Sequence, residues 1–323
     1  MKSWFFAVLL VCAVLIFVSF KPHQEAITPD VLELKKQAEE ALSRDIPPQD
    51  NDVVVEEEKS MGVGYYDFIL DNLQGGGPPK DGIPAIDHPQ YVSASESLLA
   101  DDALVYGLAY EGEAFAFPQN ILYWHEIVNE QIAGERVSVT YCPLTGSVVG
   151  YKNVNLGVSG KLYNSNLVLY DRATDSLIPQ ILGVGMDKGL QGKKLESIHI
   201  VQASWKDWRT KYPETKVLTE MTGFDRDYTR NPYPGYEDLL RVWFPLAAES
   251  DAFPSKEMMI GITIGATHHA VAKKDVVGEN FNVGGVTFTW DPVLKDHTPD
   301  KPVEYMDVYW FAWYAYHPDT IIR

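Results

Sequence analysis

An imidazole and a thiol lie seventeen residues apart at His125 and Cys142, and a carboxylate, Glu126, adjoins the histidine. Copper and zinc accept nitrogen and sulfur donors together, so the first reading is a transition-metal site serving metal handling or a redox step. In it Cys142 is a thiolate ligand, His125 an imidazole ligand, and Glu126 or Asp171 supports and orients them. Strong metal signatures space their ligands in pairs, whereas a lone His and a lone Cys need two further donors. His268, His269, Asp171, Asp87 and His88 are available. Adjacent strand residues point to opposite faces, so at most one of His268 and His269 faces a given site. The same pair also suits a nucleophile and its base, with Glu126 or Asp171 orienting the imidazole and the Thr145-Gly146 amides as oxyanion donors. The plainer alternative makes Cys142 a small buried hydrophobe and His125 a helix histidine bonded to a backbone carbonyl.

A different class of function rests on the loop Asp225–Tyr236, which carries Tyr228, Arg230, Tyr233 and Tyr236. Aromatic rings beside polar groups suit stacking on a glycan, a peptide or another envelope partner, with no catalysis. The competing account packs these tyrosines inside the protein. No phosphate loop, dinucleotide fingerprint, Gly-x-Ser-x-Gly elbow or His-Glu-x-x-His motif is present. A formal charge of −18 argues against nucleic acid, whose phosphates require Lys and Arg stripes.

The elements expected to hold these residues are mostly short strands. Val137–Tyr141 alternates apolar and small polar residues, so Cys142 ends a strand and Pro143 stops its ladder. Gln119–Asn129 reads as a helix carrying His125 and Glu126. Ser204–Tyr212 reads as a helix with serine at its N-cap and Trp205 and Trp208 on one face. The chain also echoes itself: Gly107–Phe117 in Gly261–Val271, Val137–Pro143 in Val286–Pro292, and Trp205, Trp208, Pro213 and Thr215 in Trp310, Trp313, Pro318 and Thr320. Cys142 faces Asp291 in this alignment, and His125 has no counterpart. The expectation is an α+β, β-rich fold of two unequal repeats packed as one domain, behind an N-terminal apolar helix. Repeat one spans about 103–218, with an insertion-like stretch at 153–200, and repeat two about 258–323.

Lys2 precedes a nearly unbroken apolar run, Trp4–Phe20, with only Ser19 polar. Its length and its lack of a small-x-small cleavage site favour an uncleaved anchor at residues 1–21 over a removed signal peptide. Lys2 would stay on the cytoplasmic side, exporting the rest of the chain. Residues 22–62 carry eleven acidic against four basic side chains and read as an acidic stalk, leaving 63–323 as the pseudo-duplicated domain. Cys12 lies in the anchor, so the folded part holds one thiol and no internal disulfide.

Trp124–Asn129 (W-H-E-I-V-N) and Thr140–Gly146 (T-Y-C-P-L-T-G) resemble the bacterial and archaeal domain family of unknown function DUF3179. The likeness extends through Asp81–Asp87, Asn164–Arg172, Asp225–Tyr233 and Phe311–Thr320, over roughly residues 75 to 323. It implies no particular activity. Many members of that family carry C-P-L-C-G at the central motif. With Thr145 at the second cysteine position, dithiol chemistry within one chain is ruled out here.

Overall fold

The structure, a computed structural model, describes residues 63–238 and 241–323. The expected anchor (1–21) and acidic stalk (22–62) lie outside the described residues. Among those described, no helix is long and apolar enough to cross a membrane.

The expected α+β class, two unequal repeats behind an N-terminal helix, is overturned. Five small sheets form the blades of a five-bladed β-propeller. The first joins Tyr91–Ser93, Leu104–Tyr110, Glu113–Pro118, Val201–Ser204 and Lys216–Leu218. The second joins Ile127–Ile132, Glu135–Cys142, Ser147–Lys152 and Ser197–Ile198. A third is built from Gln74–Gly75, Leu156–Tyr163, Asn166–Asp171 and Leu177–Pro179. The remaining two hold Met258–Ile264, Thr267–Ala272, Glu304–Tyr309 and Ile321–Ile322, and then Phe281–Val283, Val286–Asp291 and Asp296–Pro299.

Two features account for the correction. The four α-helices described have only seven to nine residues each, too short to make the separate layer of an α+β fold. Three of them, Gln119–His125, Trp205–Lys211 and Trp310–Tyr316, instead form corners between strands. The stretch 153–200, expected as an insertion, supplies three of the four strands of the third sheet. Local periodicity detects such strands but not the sheet they join.

The corners are specific. Ser204 Oγ accepts the Asp207 amide at 3.1 Å and starts the helix Trp205–Lys211. That helix drops Trp208 onto the hairpin Leu104–Pro118 where Gly107 leaves room: a Cβ there would sit 2.2 Å from the indole. The Trp208 indole N–H donates to Thr215 Oγ1 at 2.9 Å. Gly261, Trp313 and Thr320 build the same corner in the fourth sheet, with 2.3 Å to the hypothetical Cβ and a 2.9 Å indole hydrogen bond.

One expected helix is shorter than its sequence suggested. Gln119–His125 is helical, Glu126 takes a left-handed conformation (φ 57°), and Ile127–Ile132 is a strand paired with Glu135–Thr140. Ile127 and Val128 are β-branched and favour a pleated, buried surface, so neighbours across the sheet override the helical pattern of W-H-E-I-V-N.

Candidate functional site

The helix-to-strand break at Glu126 places a carboxyl group in the interior. The Glu126 amide donates to Leu122 O at 2.8 Å, closing the helix, and its carbonyl accepts the Tyr141 amide at 2.8 Å, opening the sheet. A left-handed glutamate costs about 1 kcal/mol relative to an ordinary conformation, and such strain gathers at functional positions. The side chain is buried, and its acceptor oxygen Oε1 takes a hydrogen bond from Tyr233 Oη at 2.9 Å. Burial lifts the carboxyl to about 7, and the Tyr233 hydrogen bond opposes the rise.

Cys142 ends the neighbouring strand and is 2% exposed, so it is shielded from bulk water. Burial, and then the Glu126 charge, push its thiol up to about 11. Hydrogen bonds from Thr145 and from the Leu167 amide, 3.3 Å from Sγ, act the other way. Behind it lies a buried polar network. Thr145 Oγ1 meets Ser147 Oγ at 2.7 Å and accepts from Asn166 Nδ2 at 3.0 Å, while Gln180 Nε2 donates to Thr140 Oγ1 at 3.0 Å. Thr145 is thus a hydroxyl member of a connected network that rigidifies the turn carrying the thiol.

Glu126, rather than His125, is the neighbouring charge that acts on the Cys142 thiol. His125 is fully buried on another side of the helix end. Its Nδ1–H donates to Pro84 O at 2.8 Å, so Nε2 is the acceptor for Tyr228 Oη at 2.7 Å. Burial lowers its pKa below the ordinary histidine value, the Pro84 carbonyl opposes this, and Arg226 adds to the lowering. Both ring nitrogens are therefore occupied by the protein itself.

The other sequence candidates lie elsewhere. The Asp171 carboxylate accepts from the amide and hydroxyl of Thr174 at 2.9 and 2.7 Å, capping a turn. Asp87 meets Arg172 at 3.3 Å and Asn129 Nδ2 at 2.8 Å, next to exposed His88. His268 stacks on His317 with ring centres 3.7 Å apart, and His269 follows it in the strand Thr267–Ala272. Among the described residues, no three His, Cys, Asp or Glu side chains converge as a metal cage would require.

The segment between the strands Lys216–Leu218 and Met258–Ile264 covers the site, and its tyrosines turn inward. Tyr228 and Tyr236 are buried and Tyr233 is half-buried, so these rings form no exposed stacking platform. Arg230 is exposed, and its carbonyl accepts the Trp124 indole N–H at 3.0 Å. Tyr236 Oη donates to Leu144 O at 2.9 Å, and Lys256 Nζ lies 3.4 Å from the centre of the Tyr236 ring. Glu237 of the same segment accepts from Tyr123 Oη. Lys256, Glu237, Tyr123 and Tyr141 escaped the sequence reading. Tyr141 adjoins Cys142 and could have been flagged, but Lys256 and Glu237 arrive only through packing.

The sequence profile of the family described as "Protein of unknown function (DUF3179)" matches residues 80–298, more than half of the chain. The chain belongs to the DUF3179 family. The match takes in Glu126, Cys142, Tyr233 and Lys256, so the whole of this DUF3179 site lies inside the shared region. No curated protein and no solved structure matches the chain.

Proposed function

We propose that this DUF3179 protein is a membrane-tethered, extracytoplasmic enzyme working through a proton-linked thiol, with Cys142 as nucleophile and Glu126 as its acid–base partner. The observation that carries the reading is a buried carboxyl group, held in the interior by the left-handed turn at Glu126 and lifted by burial to about 7, whose charge acts on Cys142, the single thiol among the described residues. A general base works best with a pKa near the operating pH. Perturbed carboxyl groups of this kind gather at functional sites.

The pKa values define the task. Moving the proton from a thiol near 11 to an acid near 7 within the closed site costs roughly 5 kcal/mol, so the resting thiol is neutral. A small electrophile changes the balance. As the Sγ–substrate bond forms, the Sγ–H bond breaks and its proton passes to Glu126. The electron pair of the substrate bond that breaks moves to the departing atom, which recovers the proton from Glu126. Burial favours the neutral form of His125, and its hydrogen bonds to Pro84 and Tyr228 fix the ring, so that it anchors the covering segment.

The test is the pH dependence of Cys142 alkylation by iodoacetamide, followed on the Cys142 peptide so that Cys12 does not contribute. In the wild type the rate steps upward near pH 7 as Glu126 ionises. Glu126→Gln keeps an acceptor for Tyr233, loses the step and reacts about tenfold more slowly at pH 8. A faster reaction in Glu126→Gln is the opposite outcome, expected if the carboxylate acts only as a charge raising the thiol. That result, or a thiol inert at every pH, overturns the proposal.

A further inference from the structure

We infer that residues 223–235 form a lid that swings as a unit on two glycine hinges, and that its lifting admits reagents to Cys142. The closed state buries Cys142 and Glu126 alike, so whatever reaches them has to displace covering structure. The lid does not depend on the acid–base role of Glu126.

The two ends are fixed. On one side the amide and hydroxyl of Thr219 donate to Gln90 O at 2.9 and 3.0 Å. On the other, Tyr236 is buried, donates to Leu144 O in the turn after Cys142, and carries Lys256 over its ring. Inside these anchors stand Gly223 (φ 83°) and Gly235 (φ 68°). Neither has a non-neighbouring atom within 4 Å of the position a Cβ would take. Glycines in open space turn at little steric cost, as hinges require.

The stretch between the hinges lies mostly in water. From 224 to 234 only Tyr228 is buried, and only Arg226 and Tyr233 are half-buried. Among the described residues, no backbone-to-backbone hydrogen bond ties 224–234 to a strand or helix. Internal turns hold its shape instead. Asp227 Oδ1 accepts the amide and hydroxyl of Thr229 at 3.2 and 2.5 Å, and the Tyr233 amide donates to Asn231 Oδ1 at 2.7 Å. Pro232 and Pro234 stiffen the tip by fixing their own φ angles.

The hydrogen bonds that close the lid run to one short stretch, residues 120–126. Tyr228 Oη donates to His125 Nε2 at 2.7 Å and accepts from Thr222 Oγ1 at 2.6 Å. The Tyr228 carbonyl accepts from Asn120 Nδ2 at 3.4 Å, and Arg230 O accepts the Trp124 indole N–H at 3.0 Å. Tyr233 Oη donates to Glu126 Oε1 at 2.9 Å, and its ring packs against the apolar cluster that contains Cys142. Two phenols thus peg an otherwise solvated strap, and lifting them uncovers Glu126 and the Cys142 cluster together. Among the described residues, no helix or strand lies between Leu218 and Met258. Connections longer than about 15 residues without secondary structure are usually lids, binding loops or linkers.

The experiment measures two rates on the full-length protein at pH 8 in low urea. One is tryptic cleavage after Arg230, which requires the loop to lift into the protease. The other is iodoacetamide labelling, followed on the Cys142 peptide. Tyr228→Phe removes the bond to His125 but keeps the ring, and is expected to raise both rates about tenfold. Gly223→Ala strains the closed hinge at its left-handed φ and is expected to raise both about fivefold. Gly223 is exposed, so its variant remains informative should Tyr228→Phe fail to fold. Faster cleavage with unchanged labelling means that the loop lifts without gating Cys142, and overturns the lid. So do two unchanged rates, or rates that climb with urea as steeply as global unfolding. Two rates that rise together without a pH step in labelling overturn the acid–base reading and leave the lid standing.

Discussion

Gly107→Ala lowers the free energy of unfolding by about 3 kcal/mol, the upper range for a small-to-large change in a close-packed core. The added methyl would lie 2.2 to 2.5 Å from three ring atoms of Trp208, whose side chain is wholly buried. Neither partner has room to move. The hairpin backbone is held by pairing to Val201–Ser204, and the indole N–H is committed to Thr215. Trp208→Ala costs about 4 kcal/mol through the lost aromatic burial and the cavity it leaves. The double variant is expected to be no less stable than Trp208→Ala alone, because the methyl then has nothing to strike. Urea denaturation followed by circular dichroism measures the cycle, and strictly additive losses would refute direct contact as the cause.

Lys273→Ala is expected to lose about 3 to 5 kcal/mol at pH 7, the cost of breaking a buried ion pair on one side. Lys273 Nζ sits 3.3 Å from Asp296 Oδ1 and also contacts Asp307, and both carboxylates are buried. His199 Nε2 completes the group at 2.9 Å from Asp296 Oδ2. Burial works against the Asp296 charge, but Lys273 and then His199 outweigh it and hold the carboxyl below the usual aspartate range. Burial likewise opposes the Lys273 charge, and Asp307 and Asp296 overcome it, leaving the lysine above its ordinary value.

The sign of the pH dependence follows. In the wild type the folded Asp296 pKa lies below the unfolded one, so its contribution is present above the unfolded value and is lost as pH falls through the folded one. The Lys273 contribution is present below the unfolded lysine pKa and lost only as pH rises through the higher folded one. Without Lys273, burial dominates at Asp296 and moves its folded pKa above the unfolded value. The variant should then gain stability relative to the wild type between about pH 7 and pH 4. A deficit that stays constant across this interval would show that lost lysine packing, not the unpaired carboxylate, sets the cost.

These two positions illustrate different degrees of legibility. The glycine and tryptophan of each corner recur at matching places along the chain, and their pairing could be suspected from sequence. The ion cluster could not. Its members come from a 3-10 turn, two strands and the loop at His199, and nothing at Lys273 marks it as an interior lysine. The site shows the same division. Cys142 at a strand end and Glu126 beside His125 stand out as chemical residues, but the choice of partner depended on where the helix stops. A helix running to Asn129 keeps His125 and Glu126 as neighbours on one element. Ending at His125, with Glu126 left-handed, it sends the two side chains to different surroundings.

The sequence by itself determined the family, the single thiol of the folded part, the short strands and the tryptophan corners. Each depends on residue identity or on a few neighbours along the chain. Tertiary structure alone decided that five sheets assemble as propeller blades, that the loop tyrosines face inward, and that the Glu126 charge is buried where it acts on Cys142. Such outcomes depend on contacts between residues far apart in the chain. The free energy of burying a carboxyl or turning a tyrosine is set by the neighbours that those contacts bring together.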